Sequence, residues 1–129
     1  MAIQINYIEN GIGIEIVASG VVSGEEIIGA HKEIYNETNL ENQKYQIIDR
    51  SHCKEYKVSP DEIRRIAELD KAASKTNPDI IIALIAPTAH QFGMSRMWQA
   101  YIEESHFLTK VFSDRRSADV WIAEQLGKT

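Results

Sequence analysis

Cysteine is nearly absent from this chain of 129 residues. The single cysteine, Cys53, has no second thiol with which to form an internal disulfide, a CxxC redox pair or a cysteine zinc site. A chain of this length buries enough surface to fold without such a staple. The hydrophobic fraction of 43% and the charged fraction of 26% are ordinary for a globular protein. We therefore predict a single domain over residues 1–129.

Basic clusters and long hydrophobic runs are also missing. The formal net charge is −5, and the longest basic runs are the pairs Arg64-Arg65 and Arg115-Arg116, which argues against a nucleic-acid partner. The longest apolar run, residues 80–87, is far shorter than the roughly 20 residues that span a bilayer. Residues 1–6 lack the pattern of a signal peptide. We predict no membrane span and a cytoplasmic location.

The motifs of common enzymes and metal sites are missing as well. The four histidines, which are His31, His52, His90 and His106, show no paired ligand spacing. Neighbouring carboxylates such as Glu25-Glu26 diverge by about 100° on a helix. A Cys53 thiolate activated by His90 is the sharpest enzymatic alternative, but an inert cysteine is the commoner case. We predict a chain without cofactor or metal that is not an enzyme.

Strand patterns come first along the chain. Apolar residues alternate over residues 3–7 and 12–18, and Asn10-Gly11 between them is a strong hairpin signal. We therefore expect an antiparallel hairpin over residues 2–19. A short strand is predicted at Tyr45 to Asp49 and a last one at residues 108–112. Residues 79–86 are apolar on both faces, which is typical of a central parallel strand.

Capping residues place the helices between these strands. Ser23 with Glu26, and Ser59 with Glu62, have the spacing of capping boxes, and Pro60 suits the first helical position. Further helices are expected from about Phe92 and beyond Asp114. The order β-β-α-β-α-β-α-β-α predicts an α/β fold with a mostly parallel five-stranded sheet and an antiparallel hairpin strand at one edge.

Three stretches carry a resemblance to a known family. They are residues 59–70, residues 92–98, and residues 111–114 together with 118–122. The chain resembles the SpoIIAA-like (STAS-type) domains, the fold of bacterial anti-sigma factor antagonists, and in particular a subgroup of small single-domain proteins. The resemblance covers nearly the whole chain. It implies helices mainly on one face of the sheet, and a half-open second face that is solvated or covered by a second subunit.

The resemblance also implies a phosphorylation candidate. Regulatory members of the family are phosphorylated on a serine or threonine at the turn after the third strand, where Ser59 is the nearest equivalent and Ser51 the next. The family pattern is Asp-Ser, a small residue and then glycine, whereas Ser59 is followed by Pro60, Asp61 and Glu62. These carboxylates would repel a phosphate, although a helix N-terminus attracts one. We favour a plain N-cap at Ser59.

A ligand or partner surface is expected where the strands end. Ligands collect beyond the carboxyl ends of parallel strands, and these ends carry Asp49, His52 and His90. The helix that follows carries an apolar stripe that could wall a pocket, formed by Phe92, Met94, Met97, Trp98 and Tyr101. Arg96 on the same helix would bind an anionic group of the ligand. The simpler interpretation, which we favour, is that the stripe packs on the sheet, with Trp98 partly exposed to a partner.

These observations favour a non-enzymatic binding or regulatory module that acts through protein–protein contacts. Its expected partners are a regulatory protein or a second copy of the chain in a homodimer. The alternative is a carrier or sensor of a small apolar or acidic ligand, bound at the strand ends and at the helix from Phe92 to Tyr101. A hydrolase that uses Cys53 or Ser51 is a more remote interpretation.

Overall fold

The computed structural model describes residues 2–127 and contains one five-stranded sheet. Its strands are β1 (Ile3–Ile8), β2 (Gly13–Ser23), β3 (Tyr45–Lys57), β4 (Ile81–Ile85) and β5 (Leu108–Phe112). Its helices are α1 (Gly24–Ile34), α2 (Glu37–Leu40), α3 (Pro60–Thr76), α4 (Ala89–Tyr101) and α5 (Arg115–Gln125). The predicted order of elements is therefore present, with the four-residue helix α2 as an addition.

The strands lie in the sheet in chain order, β1-β2-β3-β4-β5. The first pair is antiparallel and the other three pairs are parallel, as the sequence predicts. The hairpin turns through Glu9, Asn10 and Gly11, all at positive φ. Asparagine and glycine tolerate this conformation well, so the Asn-Gly signal correctly marks the reversal.

Helices cover the two faces of the sheet unequally. Side chains of α1, α3 and α4 pack with one set of alternate strand residues, such as Ile48, Ile82 and Leu84. Of the helices in the described part of the chain, α5 alone lies on the other face, where Trp121 and Ile122 pack on residues that include Ala83. The face of β1 and β2 on the α5 side is polar: Gln4 donates to Asn6, and Asn6 donates to Glu15. Of the helices in residues 2–127, none is long and apolar enough to cross a membrane.

Several predicted boundaries are wrong. β2 reaches Ser23 and β3 reaches Lys57 instead of ending near residue 19 and at Asp49. Their extensions pair with each other from Ser19 opposite His52 to Ser23 opposite Lys57. The register of this pairing shifts twice, before Ser19 and after Gly20. The extensions escaped prediction because their polar residues are stabilised by pairing between distant segments. In addition, α4 begins at Ala89 instead of Phe92, since Thr88 is its N-cap.

The two predicted capping boxes are present. The Ser59 hydroxyl accepts from the Glu62 amide at 3.1 Å, and the Glu62 carboxylate accepts from the Ser59 amide at 2.9 Å. Ser23 and Glu26 form the same pair of bonds at α1. Each box satisfies two amides that the first turn of a helix leaves without partners.

Removing the cap at Ser59 should destabilise the fold. We expect Ser59→Ala to lower the free energy of unfolding by about 1 kcal/mol, and Ser59→Asp to restore most of the loss because aspartate caps as well as serine. Urea denaturation followed by circular dichroism measures both variants. Equal stability of Ser59→Ala and the unmodified chain would contradict the capping role.

Candidate functional site

The residues predicted to form a rim at the strand ends, Asp49, His52 and His90, are arranged differently in the structure. Asp49, Ser51, His52 and Cys53 lie inside β3, because this strand continues to Lys57. His90 lies in the first turn of α4. The fold therefore separates the predicted rim into a paired ribbon of β2 and β3 on one side and a helix start on the other.

The strand order also removes the expected crevice. In doubly wound sheets, ligands enter where the strand order reverses and neighbouring crossover helices diverge to opposite faces. Here the strands follow chain order. The helices that connect the parallel strands, α1, α3 and α4, pack on the same face. No reversal opens the sheet between β2 and β5, so the rim is shallow.

Asp49 and Arg115 form the centre of a charged cluster on the α5 side. Asp49 accepts hydrogen bonds from the amide and hydroxyl of Ser51, and its second oxygen lies 3.1 Å from the Arg115 guanidinium. Arg115 also contacts Glu15 at 2.7 Å and Asp119 at 2.9 Å. One cation thus joins β2, β3 and α5 through three carboxylates. Both oxygens of the Asp49 carboxylate therefore have partners within the chain, so Asp49 serves as part of a structural ion pair and is not free to bind a ligand.

The environment of Asp49 predicts acid sensitivity. Burial alone would raise its pKa, but hydrogen bonds from Ser51 and Arg115 outweigh burial and hold the pKa below its usual value. A lowered pKa stabilises the fold above the ordinary carboxyl pKa of about 3.9, and this stability is lost as the pH falls through the folded-state pKa.

We therefore expect the stability difference between the unmodified chain and Asp49→Asn to be largest near pH 7 and to shrink below about pH 4. Urea unfolding at pH 7, 5, 4 and 3 measures it. Asp79→Asn is the matched control, since exposed Asp79 forms no ion pair with any other residue from 2 to 127. A constant difference across this pH range would contradict the role of the Asp49 ion pair.

Arg50 forms a second, more buried charged site on the opposite face of β3. Only 5% of its surface is exposed. Its guanidinium donates to the Ser95 hydroxyl at 3.3 Å and lies 4.5 Å above the centre of the Tyr56 ring. Within residues 2–127, the buried Tyr56 hydroxyl and the buried Gln91 side-chain oxygen have no hydrogen-bond partner. A buried cation beside the Tyr56 hydroxyl is the arrangement in this structure that best fits a small acidic ligand.

The thiol chemistry proposed for Cys53 has little support. The half-buried thiol donates to the Glu55 carbonyl at 3.4 Å. Burial raises the pKa of the thiol, with Arg50 opposing the shift, whereas a reactive cysteine needs a lowered pKa. The ring of His90 packs edge-on against Tyr56, with 6.3 Å between ring centres. Exposed His52 is the neighbour of Cys53 on a strand, and successive side chains point to opposite faces.

A buried polar network around Asp70 escaped the sequence analysis. Asp70 is fully buried and accepts from the Tyr35 hydroxyl and the Trp98 indole, both at 2.6 Å. His31 lies 3.7 Å from the same carboxylate, and its other ring nitrogen donates to the Ile27 carbonyl at 2.9 Å. Burial raises the pKa of Asp70, and its three neighbours oppose the shift. The network fastens α1, α3 and α4 together.

The sequence did contain one signal for this network. Asp70 follows Ile63 by seven positions and Ala67 by three, so it falls on the same helix face as these two apolar residues. A charged residue at such a position requires partners. His31 belongs to the same buried network, since only 2% of its surface is exposed.

The helix from Phe92 to Tyr101 serves mainly as core. Met94 and Trp98 are buried in the large cluster on the α3 side, and Met97 packs partly against it. The expected partial exposure of Trp98 is wrong, because only 3% of this side chain is accessible. Phe92 and Tyr101 are 38% and 36% exposed. They are nine positions apart, which places them on opposite sides of a helix, so they do not line one pocket.

The two phosphorylation candidates have different surroundings. Ser59 is exposed at the start of α3, where its hydroxyl serves as the cap. Ser51 is exposed within β3, and its hydroxyl donates to Asp49. The expectation that Ser51 lies at a turn is therefore wrong, because Ser51 lies inside β3. Ser59 is the one of the two that follows the third strand at a helix start.

Five clefts found among residues 2–127 are open to solvent. The largest, about 560 Å³, lies at the amino ends of the strands, beside Asn10 and Lys44. Arg96 lines a cleft between α4 and β5. The other predicted surface residues line none of the five; they are Asp49, His52, His90, Phe92, Met94, Met97, Trp98 and Tyr101. The predicted apolar pocket is thus not one of these clefts.

Within residues 2–127, no group of three or more histidine, cysteine, aspartate or glutamate side chains is arranged to hold a metal ion. No protein-family model, no curated protein and no solved structure matches the chain.

Proposed function

We propose that the chain is a non-enzymatic binding or regulatory module that acts through protein–protein contacts and resembles the anti-sigma factor antagonist (STAS) domains. One observation carries the proposal. The aromatic and methionine residues that would wall a ligand pocket are either packed in the core, as Met94 and Trp98 are, or exposed on separate sides of α4. A carrier encloses its ligand in an apolar cavity, whereas a shallow surface suits a protein partner.

Two features of the fold support the resemblance to the SpoIIAA-like domains. The sheet has the expected antiparallel hairpin at one edge. Its crossover helices α1, α3 and α4 share one face. The half-open face of β1 and β2 is polar, which suits contact with water or with a second copy of the chain. The expected partners are therefore a regulatory protein or a second subunit.

Site-specific photo-crosslinking tests the proposal in cells. A benzophenone amino acid is placed at one exposed apolar position at a time: Tyr7, Val21, Phe92, Tyr101, Leu108 and Val120. We expect adducts to one protein species from neighbouring positions and none from the others, because a binding surface occupies one side of the molecule. The absence of a protein adduct at all six positions would overturn the proposal.

The alternative function, a carrier or sensor of a small acidic ligand, is favoured by the surroundings of Arg50. Its buried guanidinium and the Tyr56 hydroxyl, which can both donate hydrogen bonds, would bind an anionic group. Native mass spectrometry of freshly purified chain tests this candidate. A bound small molecule that is lost in Arg50→Gln, but kept in the exposed control Arg116→Gln, would favour the carrier. Bare protein in all three samples would exclude it.

Phosphorylation at Ser59 is not needed for this proposal. Incubation with cell extract and ATP, followed by peptide mapping, decides whether Ser59 or Ser51 is modified. Asp61 and Glu62 place negative charge beside Ser59, and the Ser51 hydroxyl is bonded to the Asp49 carboxylate. We therefore expect both serines to remain unmodified. A phosphate on Ser59 would indicate that the module is switched by phosphorylation, as the resemblance to the SpoIIAA-like domains implies.

A further inference from the structure

The outer edge of β1 presents unpaired backbone groups. The Ser19 amide donates to the Ala2 carbonyl at 2.9 Å, and Ile3 lies opposite Ala18. In an antiparallel ladder, alternate residues bond to the partner strand. The backbone groups of Gln4 and its alternates therefore point to β2, and those of Ile3, Ile5 and Tyr7 point away from the sheet. Three amides and three carbonyls thus form a template for another strand.

The opposite edge of the sheet is better protected. β5 carries Lys110 at its centre, and the side-chain amide of Gln99 donates to the Thr109 carbonyl and hydroxyl at 3.4 and 3.1 Å. Lysine and covering side chains are common protections of an edge strand. β1 has six residues and contains no charged residue and no proline. The two edges therefore differ in their readiness to accept a strand.

A groove runs beside the open edge of β1. It has a volume of about 370 Å³ and is lined by Ile3, Ile5, Glu26, Gly29, Ala30 and Glu33. Gly29 lies on the groove side of α1, and a methyl group added there would meet no atom within 4 Å. The two isoleucines and Ala30 make the floor apolar. The groove therefore has room for a side chain of a strand that pairs with β1.

The charges at the groove identify the kind of occupant. Glu26 and Glu33 are the charged residues among those that line it, and both are acidic. The neighbouring Glu25 side chain is 71% exposed, but its charge is paired with Arg65 at 3.3 Å. A second copy would bring the same carboxylates to the contact, and each chain has a net charge of −5. Electrostatic complementarity therefore favours a basic partner over a second copy.

We propose that an extended basic segment of a partner protein adds to β1 as a sixth strand. Main-chain hydrogen bonds to Ile3, Ile5 and Tyr7 supply affinity, and side chains on the α1 side supply specificity, as in other cases of strand addition. The inference rests on the proposed protein-binding function and names the chemistry of the partner. It assigns the docking surface to β1 and α1 instead of to the helix from Phe92 to Tyr101.

The helix geometry specifies a sequence pattern for the segment. Glu26 and Glu33 are seven residues apart on α1, which is about 10 Å along a helix. Side chains on one face of a strand recur every ~7 Å. The two lysines in the pattern Lys-x-Val-x-Lys are about 14 Å apart along a strand. Their long side chains can lean inward to both carboxylates while the valine lies over Gly29.

Titration of the full chain with a synthetic peptide tests the proposal. The probe is acetyl-Thr-Lys-Thr-Val-Thr-Lys-Thr-amide, and its control has glutamate in place of both lysines. We expect the lysine peptide to shift the NMR amide signals of Ile3, Ile5 and Tyr7 and the glutamate peptide to shift none. N-methylation of the set of peptide amides that faces β1 should abolish binding, and N-methylation of the other set should not.

Variants of the groove separate charge from shape. Glu26→Gln with Glu33→Gln should weaken binding of the lysine peptide about fivefold at low salt, since exposed ion pairs contribute modestly. Glutamine preserves the cap at Ser23. The control Glu103→Gln with Glu104→Gln removes the same charge from exposed positions elsewhere and should change nothing. Gly29→Leu should reduce binding more than tenfold without unfolding α1, because leucine favours helix and fills the groove.

Three results would overturn the proposal. They are equal binding of the two peptides, equal binding of both N-methylated forms, and self-association of the chain with shifts at the same amides, which would make a second copy the occupant. Peptide binding can fail while crosslinks from Phe92, Tyr101 or Val120 still capture one partner protein. That combination would overturn the site at β1 and leave the protein-binding function standing.

Discussion

Asp70→Ala should lower the free energy of unfolding by about 3–5 kcal/mol, because removing one member of a buried charged network leaves the others without partners. The Tyr35 hydroxyl and the Trp98 indole would both lose their acceptor. His31, which is itself buried, would lose the neighbouring carboxylate. Urea denaturation at pH 7, followed by tryptophan fluorescence and circular dichroism, measures the loss.

The control for Asp70 lies on the same helix. Glu68 is exposed, and among residues 2–127 its one ion pair is with the nearby Lys71, at 3.8 Å. We expect Glu68→Ala to change stability by less than about 0.5 kcal/mol, as surface substitutions usually do. If the two variants were equally stable, Asp70 would not be the centre of the network that joins α1, α3 and α4.

Trp98→Ala should have the second large effect, a loss of about 3–5 kcal/mol, since it removes a large buried side chain and leaves a cavity. Trp98 is 3% exposed and packs in the large core cluster. The substitution also removes the indole N–H that donates to Asp70. Thermal and urea unfolding measure the effect.

Tyr101→Ala provides the comparison on the same side of α4. Because Tyr101 is 36% exposed, its removal should cost about 1 kcal/mol or less. Combining Asp70→Ala with Trp98→Ala should cost at least about 1 kcal/mol less than the two separate losses added together, since contacting residues couple. A strictly additive result would contradict the hydrogen bond between Trp98 and Asp70. A stable Trp98→Ala variant would restore Trp98 as a candidate partner contact.

These results bear on function because they separate the core of α4 from its surface. If Trp98 and Met94 belong to the core, they cannot also wall a ligand pocket. The exposed residues that remain for partner contact, such as Phe92 and Tyr101, then lie on different sides of the helix. The groove between β1 and α1 is separate from this helix.

Local signals in the sequence predicted most elements of the fold. The caps at Ser23 and Ser59 depend on residues only three positions away. The reversal near Asn10 depends on the backbone of three successive residues. The predicted bounds of β5 agree with the structure at both ends. In each case, the interactions that decide the local structure are contained in a few neighbouring residues.

The candidate sites were predicted less well, because their contacts join distant segments. Arg50 and Ser95 are 45 positions apart, and Tyr35 and Asp70 are 35 apart. A polar residue that follows an apolar strand suggests a solvated rim unless its partner is known. For this reason Asp49 was predicted as a surface residue, although Arg115, from the start of α5, covers it.

The sequence by itself determined the order of strands and helices, their caps and the hairpin, since hydrophobic period and capping act over a few residues. Only the tertiary structure decided that Asp70 and Arg50 are buried and that the edge of β1 is open beside an acidic groove. It also decided that β2 and β3 continue to pair with each other beyond the end of β4. The physical reason is that burial and strand pairing depend on which segments meet in space, and these segments are separated by tens of residues along the chain.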